Sequence, residues 1–503
     1  MGENIMLFNS LSFLIFFPIV VLVYFIIPEK GKQLWLLLAS YYFYMSWNAK
    51  YALLILASTI VTYLSGLLIE KVKRADYDAD KKVRLKKFVV AGSFIINLGI
   101  LFYFKYFNFV MDLLTKAFAQ IHIQLHVPVL DIVLPVGISF YTFQALSYTV
   151  DVYRDDIYAE RNFFRYALFV SFFPQLVAGP IERSKNLLKQ LAQPQKFRFE
   201  KARDGLLLMI WGFFLKIVLA DRIAIFVDTV YGNYGTYQGW YIAVATILFA
   251  VQIYCDFAGY SIIAMGAAEI LGIDLMENFN APYLSTSVAA FWRNWHISLT
   301  SWFKDYLYIP LGGSRKGKIR KYFNKLIVFL VSGLWHGANL SFVIWGGLNG
   351  IYQVIGEIFQ PFRDKWIKVL HLNRDSIGHK IMQGMITFVL VDFSWIFFRA
   401  SGYHESLAII KSMFSCNNPW ILMDGSLYTC GLDSKNFWLM IFSVFVLLFA
   451  DICKKRGIKI RSVIVAQDYW CRYAVMIFAI CFILIFGIWG SGYNAAGFIY
   501  FQF

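Results

Sequence analysis

The chain has 503 residues, of which 59% are hydrophobic and only 16% charged, with a net charge of +16. Soluble domains carry about 25% charged residues, so this composition excludes an ordinary water-soluble globular protein. The basic excess would suggest nucleic acid in a soluble chain, but here Lys and Arg cluster between apolar blocks, which points to the positive-inside rule and anionic lipid headgroups and to no nucleic-acid partner.

A full crossing needs about 20 apolar residues. The blocks are Leu7–Ile27, Leu36–Trp47, Tyr51–Ile69, Phe88–Phe107, Ile132–Val150, Tyr166–Val177, Leu206–Ala220, Trp240–Ile253, Ile262–Leu271, Leu326–Trp335, Phe342–Ile358, Ile381–Phe398, Phe437–Ile452 and Ala474–Ile488. The first has almost no basic residue before it and no small-residue cleavage site after it, so it reads as a retained membrane helix. Several blocks are too short to cross alone and predict tilted, broken or re-entrant helices. The expected fold is an all-α polytopic bundle of about 11 spans. No linker or internal repeat divides it, so residues 1–503 read as one membrane-embedded domain, with additional C-terminal membrane helices over 437–488.

Three basic runs set the orientation: Lys71 to Lys87, Arg315 to Lys321, and Lys454 to Arg461. All three should be cytoplasmic, which places the amino terminus outside. Of the six cysteines, Cys255, Cys453, Cys471 and Cys481 lie in or beside apolar segments. Cys416 and Cys430 share a loop and could pair on an oxidising side. None has metal-ligand spacing.

The stretch from Asn278 to Ser314 is aromatic, dotted with charges and punctuated by Pro282, Pro310 and Gly312-Gly313. It should lie in the interface or dip into a cavity. Among the seven histidines, His122, His126, His371, His379 and His404 sit in polar loops and read as solvated. His296 lies in this stretch, and His336 ends an apolar block. Ionisable groups near membrane depth are expensive and mark functional sites by default. Gly333 and Gly337 bracket His336 and would let backbone or substrate come close. A buried imidazole stays neutral, as a general base requires. A core histidine bonded between helices fits His336 equally well, and an interfacial role fits His296. Asp256 stands between apolar runs, where it would pair with a basic residue or orient a histidine. The histidines lack metal-ligand spacing and no thiol or carboxylate set completes a site, so no metal is expected. No P-loop, Rossmann or nucleophile-elbow pattern is present in convincing context.

The phrases Glu277-Asn278-Phe279, Pro282-Tyr283, Phe291 to Leu299, Trp302 to Tyr308 and Leu311-Gly312-Gly313, with Gly333 to Asn339 and Trp345-Gly346, resemble the membrane-bound O-acyltransferase superfamily. Phe8-Asn9-Ser10, Phe17-Pro18, Leu134 to Tyr141 and Phe173 to Pro180 resemble its bacterial alginate O-acetyltransferase branch. The likeness runs from about residue 7 to about residue 400. One departure is Ile262, where many relatives have an acidic residue after the Gly259-Tyr260-Ser261 phrase; Asp256 is then the only carboxylate nearby. The resemblance implies a ring of tilted and re-entrant helices around a central cavity reached from both faces of the plasma membrane. It implies catalytic roles for His336, the family's invariant histidine, and His296, and supporting or substrate-binding roles for Asn339, Trp335, Asp305, Asp256 and Arg293.

The expected activity is transfer of an acyl group, acetyl, from a cytoplasmic thioester to a hydroxyl. The donor would be acetyl-CoA or an acyl-carrier thioester, with no tightly bound cofactor. Lys316, Lys318 and Arg320 would gather its phosphates. The acceptor would be an envelope polysaccharide or a periplasmic or extracellular acetyltransferase partner, with membrane lipid around the chain. A transporter or a non-catalytic scaffold of polysaccharide assembly is the alternative.

Overall fold

Ser10 starts the first helix: its hydroxyl accepts a hydrogen bond from the Phe13 amide at 3.2 Å and caps α1 (Leu11–Ile26). The computed structural model describes residues 6–124, 127, 129–177, 179–489 and 499; His126 and Ala178 lie outside them. Among the described residues all regular structure is helical. The chain forms two compact units. One consists mainly of residues up to Met209 with Ser261–Met276, the other mainly of Ile210–Tyr260 and the residues from Glu277 on.

In the first unit α1 is followed by α2 (Glu29–Met45), α3 (Ala52–Arg74) and α4 (Ala79–Leu101). A π-turn carries α4 into α5 (Phe107–Gln120). Then come α6 (Ile138–Tyr153), α7 (Phe163–Ser171), the single turn α8 (Phe173–Leu176), α9 (Ser184–Ala192) and α10 (Phe199–Phe213). Ser58, Thr59, Thr62, Ser65 and Gly66 form a buried small-residue stripe on α3, which packs on α4, α6 and α7. In lipid, helices associate through such close packing and interhelical hydrogen bonds. Ser58 Oγ donates to Asn97 Oδ1 at 2.6 Å, and Tyr166 Oη donates to Thr62 Oγ1 at 2.7 Å. The outward faces are apolar: Phe88 and Ile95 on α4 are 77% and 71% exposed.

The second unit holds a π-helical stretch at Phe214–Ala220, α11 (Asp221–Gly232) and the first part of α12 (Trp240–Ile270). The aromatic stretch follows as short pieces, among them α13 (Val288–Asn294) and α14 (Ile297–Phe303), and ends in a π-turn at Lys304–Tyr308. Next are α15 (Lys318–His336), α16 (Leu340–Ile358), α17 (Gln360–Val369), α18 (Ile377–Arg399) and α19 (Tyr403–Met413). The last are α20 (Ser434–Lys455), α21 (Ile460–Val465) and α22 (Tyr469–Phe486).

Among the described residues, six helical segments are long and apolar enough to cross a membrane: Ala49–Arg74, Ala79–Gln120, Trp240–Ile270, Ile377–Arg399, Ser434–Lys455 and Tyr469–Phe486. The protein is a multi-pass membrane protein. Two sequence expectations change. Trp240–Ile253 and Ile262–Leu271 are one helix, because the polar step between them stays helical: Asp256 is ion-paired to Lys216 at 2.6 Å. The first basic run, which lies between two apolar blocks in the sequence, is largely helical. Lys71, Lys73 and Arg74 end α3, while Lys81 to Lys87 lie in the first turns of α4. Cys416 and Cys430 are unbridged, one exposed and one buried.

Candidate active site

The site is built on the α15–α16 hairpin. Gly333 and Gly346 let the two helices touch backbone to backbone: a Cβ on Gly333 would lie 2.2 Å from the Phe342 carbonyl, and one on Gly346 would lie 2.2 Å from the Phe329 carbonyl. No side chain larger than hydrogen fits there. The space beside Gly337 is taken by the Phe342 ring. The turn is short because Asn339 caps α16: its Oδ1 accepts from the Ser341 amide at 3.0 Å, and its Nδ2 donates to the Ser401 carbonyl at 2.6 Å. His336 is therefore held as the last residue of α15, at the carbonyl end of the helix, where the macrodipole favours a cation.

His336 is buried inside an aromatic box. Its ring centroid is 5.0 Å from those of Trp335 and Trp345 and 5.3 Å from Phe398, all edge-on. Trp395 stacks on Trp345 at 5.6 Å. One amide locks the box from behind. Asn349, fully buried, accepts from Trp292 Nε1 at 3.1 Å and donates to the Trp345 carbonyl at 2.9 Å and to Ser394 Oγ at 3.1 Å. Helices α13, α16 and α18 thereby meet at one polar group, and Trp292 rests on Trp345 at 5.6 Å.

His296 approaches the same aromatic wall from the short-helix stretch. Its ring is 6.1 Å from that of Trp335 and 4.6 Å from Phe257. The two histidines thus flank Trp335. His296 has left-handed backbone, φ 43° and ψ 56°, which costs a non-glycine residue about 1–2 kcal/mol. Asn278 holds that strain in place: its carbonyl accepts from the Ile297 amide at 2.9 Å and its Oδ1 from the Ser298 amide at 3.4 Å. Burial disfavours the charged form of the His296 imidazole.

Residues 41–399 match the membrane-bound O-acyltransferase family. The chain belongs to that family. It is an O-acyltransferase, and its relatives agree. It is 37% identical over 413 residues to the probable alginate O-acetylase AlgI of Pseudomonas aeruginosa, covering 82% of this chain and 75% of the relative. It is 33% identical over 451 residues to the peptidoglycan O-acetyltransferase of Helicobacter pylori, covering 82% and 80%. It is 26% identical over 427 residues to the teichoic acid D-alanyltransferase of Bacillus subtilis, covering 79% and 99%.

Within this O-acyltransferase the other expected site residues separate. Trp335 stands between the histidines. Asn339 is committed at both ends of its amide to cap and loop. Asp256 pairs with Lys216, which also pairs with Asp221 at 2.7 Å; the neighbouring residue, Phe257, is what touches His296. Asp305 is half-buried in the π-turn after α14, and Arg293 is exposed at the end of α13. Lys316, Lys318 and Arg320 are exposed at the start of α15, the end opposite His336. Buried Asn324 fixes that turn by donating to the Gly313 carbonyl at 2.9 Å. Among the described residues no three His, Cys, Asp or Glu side chains converge as a metal site. Sequence reasoning did not find Trp292, Asn349, Ser394, Trp395 or Phe398 beside the site, nor Lys216 as the partner of Asp256. Trp292 stands in the aromatic stretch, Asn349 on α16 and Ser394, Trp395 and Phe398 on α18, and the contacts that join them across the chain are not visible in local sequence.

Proposed function

We propose that the protein transfers an acetyl group from a thioester donor on the cytoplasmic side to a hydroxyl of a cell-envelope polysaccharide, or to a partner protein that relays it, across the plasma membrane. The observation that carries the chemistry is the buried His336 at the carbonyl end of α15, boxed by Trp335, Trp345 and Phe398. The relatives' names support an acyl group on an envelope polymer, and two of the three name acetyl.

His336 takes the proton of the acceptor hydroxyl as its oxygen attacks the thioester carbonyl. The tetrahedral intermediate collapses with loss of the thiolate, which takes the proton back from the imidazolium. A general base of this kind contributes about 10²–10⁴ in rate. The carbonyl end of α15 stabilises the imidazolium that forms. His296, held neutral by burial, acts by hydrogen bonding and packing, orienting the acceptor or the donor carbonyl.

The test uses purified protein with radiolabelled acetyl-CoA and, separately, an acetylated carrier protein, against candidate envelope polymers. His336→Ala should insert and fold normally yet lose transfer by about 10²-fold or more, and His296→Ala should lose less. Near-normal transfer by the His336 variant overturns the assignment. Label that accumulates on His336 without acceptor replaces direct attack by an acyl-histidine route.

A further inference from the structure

Within the first unit a cavity of about 200 Å³ opens at the turn between α1 and α2, lined by Tyr24, Lys32, Gln33, Leu191 and Gln195 among others. Lys32 is 8% exposed. Its Nζ donates to the Gln195 carbonyl at 2.7 Å and lies 5.2 Å and 5.5 Å from the ring centroids of Tyr24 and Phe25. Among the described residues no carboxylate lies within ion-pair distance of it; Glu29 lines the same cavity and is exposed. An ammonium carries three donors, and one carbonyl with two ring faces leaves part of that capacity for a ligand. Lysine is almost never buried without a counter-charge, because losing water costs several kcal/mol.

The backbone adds to the same field. Helix α2 starts at this cavity with Pro28 in the capping position, so no side chain satisfies its first amides. Those amides and the helix dipole make the start of α2 positive and receptive to an anion. The level in the bilayer follows from α1. Leu22 and Ile26 point outward, the latter 72% exposed, and exposed Glu29 and Lys30 come directly after. That change from apolar to charged surface marks the boundary where lipid headgroups begin.

We propose that this cavity binds the phosphate of a membrane phospholipid headgroup, with Lys32 as its counter-charge. The recognised chemistry is a phosphate ester held by the ammonium and the start of α2; the lining glutamines Gln33, Gln190 and Gln195 already donate to backbone carbonyls and shape the cavity wall. The inference is independent of the acyl-transfer chemistry.

The test is binding to the purified full-length protein in uncharged detergent, by calorimetry and native mass spectrometry. The probes are dihexanoyl-phosphatidylglycerol, the phosphate-free dihexanoylglycerol, and inorganic phosphate. The phosphatidylglycerol should bind at least about tenfold more tightly than dihexanoylglycerol. Lys32→Gln should remove that advantage, and Lys32→Arg should retain it within about threefold. Gln33→Trp, which fills the cavity and leaves the cation, should weaken binding even if Lys32→Gln does not fold. Binding unchanged in both Lys32→Gln and Gln33→Trp, or equal for the two lipids, overturns the site. Inorganic phosphate binding as tightly as the phospholipid overturns the lipid as its source.

Discussion

Asn349→Leu tests whether the polar latch behind the aromatic box sets the pose of His336 or only joins three helices. Leucine is close to asparagine in volume, so the substitution leaves little cavity. It strands one buried donor, Trp292 Nε1. The Trp345 carbonyl keeps its own helical partner, and Ser394 Oγ still donates to the Val391 carbonyl at 2.7 Å. A stranded buried donor costs about 1–3 kcal/mol. If the box relaxes to relieve it, Trp292 shifts against Trp345, and Trp345 shifts against His336. Expressed wholly in the transition state, that cost lowers kcat between about fivefold and about 150-fold. The assay measures kcat and KM for acyl transfer beside thermal stability. The expectation is a fall in kcat with KM within about twofold. A double-mutant cycle isolates the cause: in a Trp292→Phe background there is no donor to strand, so Asn349→Leu should add little. Lost stability with unchanged kcat would refute the positioning role, and an equal penalty in both backgrounds would refute the stranded donor.

Three further outcomes are expected. Replacing Lys316, Lys318 and Arg320 together with glutamine should raise the apparent KM for the donor while insertion stays normal, and the effect should shrink with salt because all three are exposed; unchanged donor KM would leave them as topology signals only. Cysteines placed at Lys81 and Lys318 should resist membrane-impermeant labelling from outside the cell, and clear external labelling of either overturns the orientation. Glu182, buried in the loop before α9, has its carboxyl pushed up to about 7 by loss of water, only partly offset by the Met276 and Arg183 amides. Its pKa is above the ordinary 4.5, so ionising it opposes folding: the penalty is absent below that pH, grows as pH rises and is complete above 7, at about 3 kcal/mol. Glu182→Gln keeps an acceptor for Met276, so it should raise thermal stability near pH 8 and leave it unchanged near pH 4.5. Equal shifts at both pH values would show that the carboxyl is not the source.

The sequence makes the helical class legible because lipid leaves only helices and closed barrels to satisfy buried backbone amides, and a run as long as Val89 to Phe104 fits a membrane helix and not a strand of about 9–11 residues. The two histidines stand out because each interrupts an apolar or aromatic run, but that leaves a core or an interfacial role equally open, and it is the family phrases around them that recommend them for the chemistry. What the sequence conceals is pairing across distance. Asp256 reads as a break in a block until Lys216, 40 positions earlier, is placed beside it within the second unit. Asn349 reads as one polar residue in an apolar helix; its partners Trp292 and Ser394 are on other helices. Asn339 carries a structural task that its place beside the His336 phrase does not announce: its amide caps α16 and reaches the Ser401 carbonyl after α18.

If the proposed donor and base roles hold, the hairpin also constrains how they cooperate. Lys321 and Lys325 both pair with Glu357 of α16, the latter at 2.5 Å, and mark the charged end of the two helices. His336 follows Lys325 by eleven residues, or about 16 Å along the axis. Taken along the bilayer normal, that is about half of a hydrocarbon core of about 30 Å. From Lys318 to His336 the helix is about 28 Å long, so a donor phosphate at the basic turn cannot also be near the reacting carbon. Coenzyme A and a carrier-bound pantetheine both place a long flexible arm between phosphate and thioester, which suits that separation. The two ends should therefore fail differently. Loss of Lys316, Lys318 and Arg320 should be overcome by saturating donor, with kcat restored. Loss of His336 should not be overcome at any donor concentration, because the proton transfer itself is missing. A triple variant whose kcat stays low at saturation would mean that the turn acts on the chemical step, and that the donor path does not run along α15.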